Sequence, residues 1–541
     1  MIFTARQLQE KCTEQGKDLY HCFVDLSKEF DTVNREALWV VLEKSGCPSK
    51  FVRMIRLLHD GMQARVNFGG ELSEPFPVEN GVKQGDLDAP TLFAIYFGAM
   101  LQVAFRDNSS AGIHVRYRST GKLFNLRRMK AESKVFYTVV RDLLYADDAD
   151  LVAHTQEDLQ SLIDCFDSTA DAFGLTINQK KTVVMYQPAP GKTYLPPVIN
   201  VKGRPLKVVD KFVYLGSTLS ESGSLDKEIS YRVKSGADSF GKLEYKVWSQ
   251  HGIKIQTKVM VYCAFVLSCL LFSSETWSTY ATHIKSLERF HQNCLRRILN
   301  IKWTSFTPDT EVLAKAGIPS IESMILKNRL RWSGHVVRLD DNRIPKQLLY
   351  GELATGIRPN HKPKLRYKDS LKGTLKKVGI SADSWEHIAV EDKGKWRQLT
   401  HEKVKLFEES RVKHAVLKRN VRKRTENYQE LLGSDSSYQS CPQCDRICLS
   451  KAGLKSHLRS HELQPSHVYD LRDPTKCHIC EKVCKSTGGL KRHLKSHGDN
   501  VDVPGHGASL TLTCSQCDKQ CKSLAGLKSH LRAHNRANQN I

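Results

Sequence analysis

Long apolar runs are missing from this chain. Its most apolar stretch, Val259 to Phe272, falls short of the ~20 residues that a membrane span needs and is expected as a buried helix. The first residues, MIFTARQLQEK, lack the basic-then-apolar layout of a secretory leader. Cysteine is thin and scattered up to residue 440; most of the 16 lie beyond, in a repeated Cys/His pattern. That placement argues against a secreted disulfide framework and for thiols and metal in a reducing compartment, nucleus or cytoplasm. Acid is also in deficit, 58 Asp+Glu against 82 Lys+Arg, a net charge of +24. Such a balance favours a polyanionic partner, nucleic acid before membrane, although solvated basic faces would give the same count. At 541 residues the chain has room for several domains.

Turning to what is present, RDLLYADDADLVAH (Arg141 to His154) sets two short apolar runs around an acidic tip. It predicts a β-hairpin with Asp147 and Asp148 at its turn. Adjacent carboxylates repel, so a rigid pair calls for a cation; an Asp-rich surface turn is the plainer alternative. Before it, Tyr20 to Val24 reads as a strand that delivers Asp25, and Asn34 caps a helix through Leu42. Ser49 opens a helix that stops at Gly61. Arg65–Phe68 and Glu74–Val78 bracket Gly69-Gly70 as a hairpin. NGVKQGDLDAP supplies a loop whose glycines, Gly81 and Gly85, let backbone approach a ligand, and Pro90 starts an apolar helix to Phe105. Residues 111–140 read as basic strands and loop. Thr155 to Asp158 resembles a capping box for a helix ending at Gly174, and GLTINQKKTVVM and KFVYLGSTLS read as strands. Strands carrying acids, interleaved with helices, describe an α+β domain. From 226 to 430 the pattern is mainly helical. HIKSLERFHQNCLRRILNI and SMILKNRLRWSGHVVRL are amphipathic with basic faces, suited to phosphate or to plain solvation. Arg411 to Arg424 is a basic stretch that fits a nuclear-import signal, a nucleic-acid face or a linker helix.

The last hundred residues repeat at a period of about 36. Cys441, Cys444, His457 and His461 are followed at the same spacing by Cys477, Cys480, His493, His497 and by Cys514, Cys517, His530, His534. This is Cys2His2 spacing, and it predicts three small ββα fingers over 439–461, 475–497 and 512–534, each folded by one Zn²⁺. Among the base-reading positions only Arg492 can grip guanine, and the linkers are long. The expectation is sequence-tolerant binding of DNA or RNA with a steep salt dependence; protein contact by a finger is the alternative.

The ordered set FVDLSKEFD, NGVKQGD…AP, YADD, GLTINQKKT and YLG resembles the palm of reverse transcriptases, and among them the non-LTR (LINE-type) retrotransposon family. The resemblance implies a right-hand polymerase palm over 1–220, a helical thumb and connector over 221–430, and copying of an RNA template from a DNA primer. It implies two Mg²⁺ held by Asp25, Asp147 and Asp148, and Lys181 at the leaving pyrophosphate. It implies Phe30 as the bar to a ribose 2′-hydroxyl, and Gln84, Gly85 and Tyr145 around nucleotide and template. Phe212, Tyr214, Leu215 and Gly216 match the primer-grip hairpin, with strand packing as the alternative. Glu29 departs from the family, which usually has a small residue there; it should repel a triphosphate unless it turns away. The first motif begins as early as Phe23, so a fingers region and an endonuclease are expected to be missing. A partial copy that only binds nucleic acid through its fingers is therefore the second expectation.

Overall fold

The computed structural model describes residues 1–83, 85–106, 110–356, 358, 365–423, 439–444, 447–448, 451–462, 512–513 and 520–521. The chain falls into two compact units, Met1–Gly433 and Ser434–Ile541.

The larger unit opens with α1 (Ile2–Gln15), β1 (Leu19–Val24), α2 (Arg35–Lys44), α3 (Ser49–His59) and α4 (Ala89–Ala104). Next come β2 (Ile113–Tyr117), β3 (Phe136–Val140), β4 (Asp142–Tyr145), β5 (Asp148–Ala153) and α5 (Gln156–Ala172). The strands β6 (Val183–Gln187), β7 (Lys207–Val208), β8 (Lys211–Tyr214) and β9 (Ser217–Ser220) follow. A central five-stranded sheet runs β7-β6-β1-β5-β4, antiparallel except for the β6–β7 pair. The expected caps form: Asn34 accepts from the Ala37 amide and Thr155 from the Asp158 amide.

Both faces of β1 are buried. Cys22 and Val24 face α4 and α5 in a core with Phe93, Phe97, Leu151 and Phe166. Leu19 and Phe23 face a second core with Leu8 and Cys12 of α1, Leu143, Val152 and Tyr214. Such two-sided burial explains why LYHCFV is nearly continuous in apolar residues. The helix α1 is engulfed, and its charges are met inside: Arg6 donates to Ser217 Oγ at 2.9 Å and Lys11 to the Gly351 carbonyl at 2.7 Å.

Helices dominate beyond residue 226, among them α6 (Asp226–Lys242), α7 (Ala281–Ile298) and α8 (Ile321–Arg338). A short strand, β10 (Glu352–Leu353), pairs with β2, so residues 113–140 build a separate three-stranded sheet, β10-β2-β3. Then come α9 (Tyr367–Val378) and the long α10 (Lys393–Lys423).

Two expectations need correction. The hairpin over 65–78 is split: Asn67–Phe68 pairs with Glu71–Leu72 tightly around the glycines, and Gln63–Ala64 with Phe76–Pro77 further out. The stretch Val259–Phe272 is not buried all round. Its helix contains a π-turn over Tyr262–Leu267; Tyr262, Val266 and Leu270 point inward, while Met260 is 63% and Phe265 60% exposed. Among the described residues no helix is long and apolar enough to cross a membrane.

Candidate active site

The turn between β4 and β5 consists of Ala146 and Asp147, with Ala146 at φ 54, and Tyr145 pairs with Asp148 across it. A non-glycine residue in that region stores backbone strain at the acidic tip. The neighbouring ladder fixes the rest. Val24 pairs with Ala149, so one step beyond it Asp25 stands opposite Asp148. The Asp148 carboxyl is pushed above the usual range, first by burial and then by Asp147, Asp25 and Glu29. Asp148 thus feels the charge of three other carboxylates, Glu29 the least.

Asp25 is tied down through its backbone. Its amide donates to Thr182 Oγ1 at 3.2 Å and its carbonyl accepts from the Asn178 amide at 2.8 Å. Those bonds carry the turn that presents Lys181, whose Nζ lies 3.4 Å from Asp25 Oδ2. The lysine is mostly exposed, and Oδ2 itself is buried and accepts no hydrogen bond. The Lys181 ammonium is the charged partner of this oxygen, and a divalent cation bound here would take its place.

The loop before α4 is laid against the first motif. The Gly81 amide donates to Val33 O and the Val82 amide to Phe30 O, both at 2.8 Å. Gly81 sits at φ +85, and a Cβ there would lie 2.7 Å from the Asp31 Cα. Arg35, buried, clamps the loop by donating to the carbonyls of Gly81, His59 and Val78 at 2.8–2.9 Å. Burial lowers its guanidinium pKa. Phe30 is half-buried with its ring centroid 4.8 Å from that of Phe93. Gly85, at φ +95, has open space where a side chain would stand, and Tyr145 is 64% exposed. Gln84 lies outside the described residues.

Behind the acids, Phe212 stacks on Phe23 with centroids 4.1 Å apart, and Tyr214 donates to the Leu143 carbonyl at 2.9 Å. Leu215 and Gly216 form the positive-φ turn of that hairpin. One strand step from the site, His21 Nδ1 and Asp150 Oδ2 meet at 2.9 Å with no exposure on either side. Burial raises the Asp150 carboxyl and His21 pulls it back. Sequence reading gave no role to Arg35, His21 or Asp150. The signal for Asp150 was faint: a third acid in YADDAD whose strand parity turns it inward.

In the smaller unit, Gln439–Ser440 pairs with Ile447–Cys448, and a helix covers Lys451–Glu462. Cys441, Cys444, His457 and His461 place their ligand atoms within 4.8 Å of one another. Among the described residues this is the one such group of Cys, His, Asp or Glu. Histidines four apart share a helix face, which aims both at the two thiols. The donors of the other two repeats, Cys477, Cys480, His493, His497, Cys514, Cys517, His530 and His534, lie outside the described residues; Leu512–Thr513 pairs with Gln520–Cys521.

Comparison with known proteins adds lineage. Residues 2–219 match the family described as reverse transcriptase (RNA-dependent DNA polymerase). The RNA-directed DNA polymerase from mobile element jockey of Drosophila funebris is 23% identical over 307 residues, 56% of this chain and 31% of that protein. A retrovirus-related Pol polyprotein from a type-2 retrotransposable element of Drosophila melanogaster is 28% identical over 214 residues, 38% of this chain and 18% of that protein. The chain thus spans under a third of the length of these curated relatives. A solved telomerase from Candida tropicalis, in complex with a fragment of telomeric RNA, aligns at 12% identity and a TM-score of 0.33 over 74% of this chain and 51% of that one.

Proposed function

We propose that this chain, whose residues 2–219 are a reverse transcriptase domain of the non-LTR retrotransposon kind, copies RNA into DNA by nucleotidyl transfer. The observation that supports the reading is the register, in which Val24 pairs with Ala149 and the next step puts Asp25 opposite Asp148 at the acidic turn, with Lys181 on Asp25 Oδ2. These three carboxylates would hold two Mg²⁺, whose hard-oxygen preference they suit. Bound there, the ions would lower the pKa of a primer 3′-hydroxyl and neutralise the triphosphate. Lys181, exposed and among the described residues paired only with Asp25, has the freedom to move onto a leaving pyrophosphate. The test is primer extension on an RNA template by the purified chain with and without Mg²⁺; a folded, metal-replete sample that never extends refutes the reading.

Phe30, Gln84, Gly85 and Tyr145 would line the nucleotide and template side. Phe30→Ala should raise ribonucleotide incorporation by about tenfold or more, measured as the ratio of kcat/KM for the two sugar types. An unchanged ratio would make Phe30 a packing residue.

A second reading has one observation in its favour. Glu29 adds a fourth carboxylate to the field on Asp148, which opposes triphosphate binding. On that reading the domain is a silent scaffold, and Glu29→Ala would be required before any extension is seen.

The C-terminal repeats would bind three structural Zn²⁺ and hold DNA or RNA with little sequence preference. The basic stretch from Arg411 would serve nuclear import. For the first finger, cobalt substitution should give the visible bands of a tetrahedral thiolate–imidazole site, and Cys444→Ser should remove one of three metal equivalents. Unchanged metal content in that variant would contradict the assignment.

A further inference from the structure

The helices α8 and α10 pack side by side in opposite directions. Trp396 Nε1 donates to the Leu330 carbonyl at 3.1 Å, and towards the other end Glu408 accepts from Ser320 and Ser323 hydroxyls at 2.7 Å. Gly334 permits the approach, since a Cβ there would overlap the Trp396 indole nitrogen. Along this seam lie three adjoining clefts of about 540, 470 and 610 Å³, which share Arg331.

Cations line them from both helices: Lys327, Arg331 and Arg338 from α8, Lys393, Arg397 and Lys405 from α10. The spacings of four and seven on α8, and four and eight on α10, keep each set on one face. Among the described residues none of the six forms an ion pair with a carboxylate. The acids on the clefts are Glu275 at one end and Glu408 and Glu409 at the other, and Glu408 is already neutralised by Arg411 at 2.7 Å. Trp332, half-buried in the same groove, has an indole N–H without an acceptor and stands 5.2 Å from the His335 ring.

Cations without a carboxylate partner in a concave row, Arg338 held by the Ala389 carbonyl at 2.7 Å, with an aromatic face among them, are what a single nucleic-acid strand needs: charge for phosphates and a platform for a base. We propose that the α8–α10 groove binds single-stranded RNA through its phosphodiester backbone, with one base against Trp332. A seam between helices packed about 8–10 Å apart receives a single strand, whereas a duplex would meet only its rim. The cationic row extends on the order of 16 Å, room for about three to five phosphates. The choice of RNA over single-stranded DNA rests on the polymerase reading above, since the backbone chemistry is common to both.

The test uses the full zinc-loaded chain and a short fluorescein-labelled oligouridine. Arg331→Gln with Arg397→Gln, both exposed, should raise Kd about tenfold and flatten the slope of log Kd against log salt by about 1.4. Photo-cross-linking with 4-thiouridine should label peptides from 321–338 and 393–405. Unchanged affinity and slope in the double variant, cross-links confined to other peptides, or equal competition by polyglutamate would each overturn the proposal. Matching single-stranded DNA bound as tightly as RNA would overturn the RNA assignment. Asp147→Asn is expected to leave this affinity intact, and an unaltered chain that binds normally but never extends a primer counts against the polymerase reading alone.

Discussion

Replacing Asp147 with asparagine should abolish RNA-templated extension, by about a thousandfold or more, on the order of 4 kcal/mol in the barrier. The change is isosteric and sits at a two-residue turn, so the β4–β5 ladder has no reason to shift. It removes a charge that raises the neighbouring Asp148 carboxyl, and Asp148 should therefore ionise more readily in the variant. Relief of that repulsion makes the folded chain as stable as before or slightly more so. Activity and stability then move in opposite directions, as expected where charges are crowded for function rather than for folding. Thermal melting alongside single-turnover extension checks both. A variant that melts much earlier would mean that Asp147 is structural, and one that still extends would remove it from the chemistry.

Gly81→Val should cost about 3 kcal/mol of stability and detach the loop that leads to Gln84 and Gly85. Two independent obstacles add up: a backbone at φ +85, and a Cβ 2.7 Å from the Asp31 Cα, which cannot rotate away as a side chain could. The comparison is Gly85→Ala, where the backbone is at φ +95 but space is open, and about 1 kcal/mol is expected. Denaturant melts give the two costs, and KM for the incoming nucleotide should rise for Gly81→Val. Equal effects of the two substitutions would mean that the contact with the first motif is not what holds this loop.

The acidic hairpin and the strand that ends before Asp25 were readable because these elements are local. A two-residue turn flanked by apolar runs, and a strand that ends at an acid, need no knowledge of the rest of the chain. The pairing of β1 with β5 comes from the fold, since β6 is also buried on both faces and takes the other edge of β1. The partners of that site were not readable. Arg35 looks like an ordinary helix N-terminal residue, and only folding shows that its guanidinium ends on the carbonyls of His59, Val78, Asn80 and Gly81. His21 and Asp150 are far apart in sequence and meet through strand register. The first helix carries Arg6, Lys11 and Glu14, charges that sequence alone gives no reason to bury. It is buried because groups from residues near 217 and 351 arrive to satisfy it. For the same reason β2 and β3 could not be placed from their own residues, since their third partner is Glu352–Leu353. The split hairpin at 63–77 turns on where pairing begins, a matter of register that alternation alone leaves open.

The claim on which the rest depends is that Asp25, Asp147 and Asp148 form one divalent-cation site. Ferrous iron bound in place of Mg²⁺, with ascorbate and peroxide, cuts backbone next to wherever it sits. Cuts close to residues 25 and 147–148 that fade as Mg²⁺ is added, and that vanish in Asp25→Asn, are the predicted result. Cleavage absent from those two segments, or unaltered by Mg²⁺ and by the substitution, would contradict it.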